Sequence, residues 1–87
     1  MRDWFEVAQA EKLLGAMRAN RRGWTMADIE RLCRAQGLEV LAPKRGSHFK
    51  IGHRSVPRVV VVPYNRPIKP VYVTELIELI DLLESRR

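Results

Sequence analysis

The segment Arg58-Val59-Val60-Val61-Val62, closed by Pro63, constrains this chain more than any other stretch. Consecutive valines are stiff at χ1 and fit a pleated surface better than a helix. Pro63 closes the run because its ring fixes φ and removes a ladder donor. A strand is not stable alone, so the remaining residues must supply pairing strands and something to cover them. The run is apolar at every position, so alternation leaves open which valines face the core. One face falls to helices, which leaves the other for a partner.

The flanking sequence reads accordingly. Val7, Ala10, Leu13, Leu14 and Met17 form a helical stripe between Glu6 and Ala19, broken by Asn20-Arg21-Arg22-Gly23. Thr25 is the N-cap of a second helix, with Asp28 in the N3 place of a capping box and Trp24 set as a hydrophobic staple against Ile29. This helix buries Met26, Ile29, Leu32 and Cys33 and stops at Gly37, which enters the left-handed region without steric cost. Leu38 to Leu41 reads as a short strand ending at Pro43. Ser47 to His53 alternates, with Phe49 and Ile51 on one side and His48 and Lys50 on the other. Gly52-His53-Arg54-Ser55 makes the turn into the valine run. Tyr64 to Pro70 is a proline-stiffened loop, and a last helix from Val71 to Glu84 buries Val73, Leu76, Ile77, Ile80 and Leu83. Its outer face carries Glu75, Glu78, Asp81 and Glu84. The fold class is α+β, one domain over residues 1–87, with a three-stranded antiparallel sheet packed on helices. Such a sheet needs Trp4, Trp24, Phe49 and the valines as structural residues, and Cys33 as a small buried hydrophobe.

With 87 residues, 46% of them hydrophobic, the chain can build one small core and no fold of Rossmann or barrel size. No apolar run approaches the ~20 residues that cross a bilayer. The lone Cys33 cannot close an internal disulfide, and Arg2-Asp3-Trp4-Phe5-Glu6 holds no apolar export signal, so the expected compartment is the cytoplasm. The net charge of +6 is unevenly spread. Residues 1–39 and 75–87 nearly balance. Residues 40–74 contain Lys44, Arg45, Lys50, Arg54, Arg58, Arg66 and Lys69, both histidines, and no acid. A polyanion compensates such a surface.

Within that stretch, Lys44-Arg45-Gly46-Ser47-His48-Phe49-Lys50 concentrates the reactive groups. Gly46 lets a backbone approach a phosphate closely, and a hydroxyl, an imidazole and an ammonium follow. A lone histidine is usually a surface or structural residue. Two histidines without neighbouring acids make a poor metal cluster, and the missing carboxylates speak against magnesium-dependent phosphodiester chemistry. Metal-free and cofactor-free work on a phosphate remains, and RNA supplies its own nucleophile, the 2′-hydroxyl.

From about Thr25 to Leu83 the chain resembles the HicA toxin family. The resemblance rests on Gly37-Leu38-Glu39, the basic turn, Gly46-Ser47-His48, the Arg58–Val62 strand with Pro63, and Ile68-Lys69-Pro70 before the final helix. It implies a core over residues 24–84 similar to a double-stranded-RNA-binding domain (α-β-β-β-α), preceded by an N-terminal helical extension over residues 1–23. It also implies an mRNA interferase, the toxin of a toxin–antitoxin pair, neutralised by a HicB-like antitoxin, with His48 in the catalytic position. Phe49 and Tyr64 stand where members often carry His or Tyr and His, respectively, so fewer polar groups surround His48.

The expected mechanism has His48 as general base on a ribose 2′-hydroxyl and Lys50, one pleat away, stabilising the phosphorane. His53 has the wrong parity for a general acid, which leaves water, Tyr64 or Lys50. Lys44, Arg45, Gly46, Ser47, Arg54, Arg66 and Lys69 are the expected RNA contacts, aided by the start of the last helix. The same charge map would also suit a non-catalytic RNA-binding module. A DNA-binding helix-turn-helix on the first two helices is a weaker reading, because those helices carry little of the excess charge.

Overall fold

The chain runs α1 (Trp4–Ala19), α2 (Met26–Gln36), β1 (Glu39–Leu41), β2 (His48–His53), β3 (Val56–Pro63) and α3 (Pro70–Glu84). This is a computed structural model that describes residues 4–87; the charges read at Arg2 and Asp3, and the first residues of the 1–23 segment, lie outside the described residues. The strands form one antiparallel sheet in the order β1-β2-β3. Helix α3 packs on β3 and β2, α2 on β1, and α1 against α2 and α3. The architecture is α+β, with three helices and a three-stranded sheet among the described residues. No helix among the described residues is long and apolar enough to cross a membrane.

Helix α2 is fixed at both ends by local chemistry. The Asp28 N–H donates to Thr25 Oγ1 at 3.2 Å and the Thr25 N–H to Asp28 Oδ2 at 2.9 Å, which completes the capping box despite the short acid. At the other end Gly37 has φ 79°, and the N–H groups of Gly37 and Leu38 donate to the carbonyls of Arg34 (3.2 Å) and Cys33 (2.8 Å), a Schellman pair. Removing the cap hydroxyl orphans a helix-terminal donor. Thr25→Ala should therefore lower stability by about 1 kcal/mol, read as a shifted urea midpoint at constant slope.

Helix α3 starts one residue earlier than the spacing suggests, because Pro70 is suited to the first turn. It buries Val73, Leu76, Ile77, Leu79, Ile80 and Leu83. The sheet supplies Ile51, Val56, Val60 and Val62 to the same core, and α1 supplies Ala10 and Met17. Cys33 is fully buried there, and loss of solvation pushes its thiol up to about 12. A thiol in that state is inert packing.

The structure decides which valines face the core and corrects two expectations, the burial of Trp4 and the start of β3. The valines divide: Val60 and Val62 are buried, whereas Val59 is 58% and Val61 41% exposed. The pleat sends alternate side chains to opposite faces, and helices cover only one. Trp4 is 80% exposed. Burial along α1 begins at Ala10 and is complete at Met17, so the first turn contributes nothing to the core. Strand β3 also starts earlier than expected, at Val56, and the turn is only Arg54-Ser55. Its interior Pro57 sits where the ladder is irregular, between the Ile51↔Val60 and His53↔Val56 pairs. A bulge on an edge strand is where a proline does no harm.

Helix α1 is tied across the molecule by Arg18, which pairs with Asp81 of α3, and by Arg21 Nη1, which donates to Thr74 Oγ1 at 2.8 Å. The hydrogen bond from Arg18 holds the Asp81 carboxyl below the usual aspartate range, and raises the guanidinium in turn. The unfolded chain then binds the Asp81 proton more readily, so stability from this pair is complete above the ordinary aspartate pKa of about 3.9. It is lost as pH falls through the lowered value. Both side chains are about half exposed, which limits the pair to less than about 1 kcal/mol. Asp81→Asn should therefore destabilise modestly at neutral pH, and the difference should vanish in urea titrations well below the ordinary aspartate range.

Candidate nucleic-acid interface

Strand β2 positions the site through its alternation. Ile51 is buried and Phe49 half-buried against the core, so His48 and Lys50 emerge together on the face that no helix covers. Residues two apart on a strand stand about 7 Å from one another. His48 lies opposite Pro63, while Lys50 lies between Leu41 of β1 and Val61 of β3. Neither side chain makes a hydrogen bond or ion pair among the described residues, which leaves the imidazole and the ammonium open to a ligand.

The loop before β2 brings the basic residues to the same end of the sheet. Lys44, Arg45, Gly46 and Ser47 are all exposed, and Gly46 takes φ 75°, where a side chain would be strained. The Ser47 carbonyl accepts the Tyr64 N–H at 2.6 Å, which closes the loop against the end of β3. Arg66 Nε in turn donates to the Tyr64 hydroxyl at 3.1 Å. Lys44, Arg45, Gly46, Ser47, His48 and Lys50 thus share one end of the molecule, and Arg66 lies at that end too, held over the Tyr64 ring on the Phe49 side.

Other expected members lie elsewhere. Arg54 occupies the hairpin turn, six residues along β2 from His48, or roughly 20 Å at about 3.3 Å per residue. His53 is at the same far end, where its Nδ1 meets the N–H and hydroxyl of Ser55 at 3.0 and 2.7 Å. Lys69 is exposed at the N-cap of α3 and makes no side-chain cap bond, and no hydrogen bond among the described residues links it to the strands. Tyr64 accepts from Arg66 at its hydroxyl, which makes no bond to His48 among the described residues. Its ring packs on Phe49, with centroids 6.2 Å apart, and Phe49 belongs to the helix-covered side.

The outer face differs from a purely basic surface. Leu41, 60% exposed, and Val61 flank Lys50 directly, with Val59 nearby and Glu39 at the corner opposite Gly52. Single-strand periodicity could not reveal these aliphatic neighbours, because they are set by cross-strand register. Among the described residues no three His, Cys, Asp or Glu side chains converge as metal ligands would. A cavity of about 520 Å³ lies between α1 and α2, and one of about 440 Å³ between α2 and the sheet; His48 lines neither. No family model, curated protein or solved structure matches this chain.

Proposed function

We propose that this chain is a HicA-like toxin, a metal-independent endoribonuclease that cleaves mRNA in the cytoplasm, with a fold of the double-stranded-RNA-binding type. The observation that carries the reading is an exposed, unpartnered His48 beside Lys50 on the open sheet face, at the end where Lys44, Arg45 and Arg66 collect. Neutral His48 takes the proton of a ribose 2′-hydroxyl. The freed oxygen attacks the adjacent phosphorus, the 5′-oxygen leaves, and a 2′,3′-cyclic phosphate remains. The Lys50 ammonium faces the charge that builds on the phosphoryl oxygens. A proton reaches the leaving oxygen from Lys50 or water, which makes for a slow enzyme. A HicB-like antitoxin covers this face and presents acids to its cations.

Incubating the chain with mRNA in excess chelator tests the reading: shortened RNA with cyclic-phosphate ends is expected, and intact RNA would overturn it. A second reading, an RNA-binding module without chemistry, is favoured because no hydrogen bond or ion pair among the described residues orients the His48 ring. That module would retard RNA on a gel without shortening it. In either case affinity should fall with salt, by about 0.7 log units per neutralised phosphate for each tenfold rise in concentration. A salt-independent affinity would discard the basic contacts of Lys44, Arg45 and Arg66.

A further inference from the structure

Strand β3 is an edge, and its free side has an unusual arrangement of donors. In an antiparallel pair, hydrogen-bonded and non-hydrogen-bonded positions alternate. The Tyr64 N–H bonds to Ser47, so counting back along the register turns the backbone groups of Val62 and Val60 toward β2. Those of Val59, Val61 and Pro63 therefore turn away, toward the open edge, and Pro57 does so from the other end of the irregular stretch, next to the Val56 that pairs with His53 across the two-residue turn. The two prolines have no N–H to offer. The edge thus presents the donors of Val59 and Val61 alone, bracketed by Pro57 and Pro63 at equal distances from Val60.

We infer that this edge pairs with the same edge of a second copy, antiparallel about a two-fold axis through Val60. In that register Val59 faces Val61 of the other copy, and each exchanges N–H and C=O with its counterpart. The prolines fall opposite one another, where no donor is required. Pairing is therefore satisfied within a short window and cannot extend beyond it, which suits an isologous contact better than a longer foreign strand. The exposed side chains of Val59 and Val61 meet across the axis on the outer face, an aliphatic cross-strand pair on each side. Charge does not oppose the approach locally. Arg58 is the only charged residue of β3, and its Nη2 is held by Glu78 Oε1 of α3 at 3.0 Å. Natural edges are guarded by lysines, prolines or bulges; this strand has no lysine, and its two prolines and irregular ladder guard it everywhere but at Val59 to Val61. The outcome is one continuous six-stranded sheet with both His48 side chains on the same face.

Sedimentation of the full chain from the micromolar to the millimolar range should show a monomer passing to a dimer. Over the same range, amide exchange at Val59 and Val61 should slow by at least about tenfold. Val61→Lys, at an exposed position, should remain monomeric with an unchanged far-ultraviolet spectrum. A chain that stays monomeric throughout would overturn the inference, as would a dimer whose Val59 and Val61 amides exchange as fast as in dilute solution. Should Val61→Lys fail to fold, the wild-type amides decide the matter alone.

Discussion

His48→Ala should reduce cleavage of RNA by about 10²–10⁴-fold, the usual loss when a general base is removed. The substitution isolates chemistry from folding, because the imidazole is exposed and bonded to nothing among the described residues. The variant should melt like the parent and bind RNA with little loss, since most of the cations gathered near it are untouched. Growth inhibition on expression should disappear together with cleavage. Lys50→Ala should give a smaller defect that includes weaker binding, because an ammonium both attracts phosphate and stabilises the pentacoordinate state. Cleavage by His48→Ala at the parental rate, with metal chelated, would refute the assignment.

A sharper contrast separates two adjacent valines. Val60→Asp places a carboxylate where no solvent reaches, among Ile51, Val62 and the residues of α3, and should cost more than about 4 kcal/mol, enough to unfold a marginal small domain. Val61→Asp puts the same group on the open face opposite Lys50, and should change stability by no more than about 0.5 kcal/mol. Urea titrations of the two variants read the difference directly. Similar midpoints for both would mean that the pleat of β3 is assigned to the wrong faces.

That contrast also marks where the sequence stops being legible. Helix α2 could be read almost to the residue, because Thr25, Asp28 and Gly37 act through bonds only a few positions long. The inward side of α3 was equally plain from its spacing. The valine run carries no polar residue to mark a side, so its parity emerges only from pairing with Ile51, a partner distant in sequence. Pro57 hid the true start of β3, because the bulge that accommodates it has no signal in composition. Trp4 shows that aromatic bulk does not guarantee burial when a helix outruns the core it lies on.

The site was legible to the same depth. Phe49 and Ile51 fixed the direction of His48 and Lys50, since alternation is a property of one strand. The grouping of cations was not, because distance along a charged stretch is a poor guide to distance in space. Arg54 is nearer to His48 in sequence than Arg66 is, yet the hairpin carries Arg54 to the far end while the Tyr64 hydroxyl holds Arg66 at the near one. Leu41 and Val61 became neighbours of Lys50 only through register.

The bonds from Arg18 and Arg21 into α3, with Met17 sunk in the core, make the opening helix an organic part of the fold rather than an ornament. The strip from Asn20 to Gly23 is exposed or half-exposed and lies between anchored ends. A protease that nicked the backbone there would free no fragment, because the two pieces would remain clasped by the packing and side-chain bonds that join α1 to the rest.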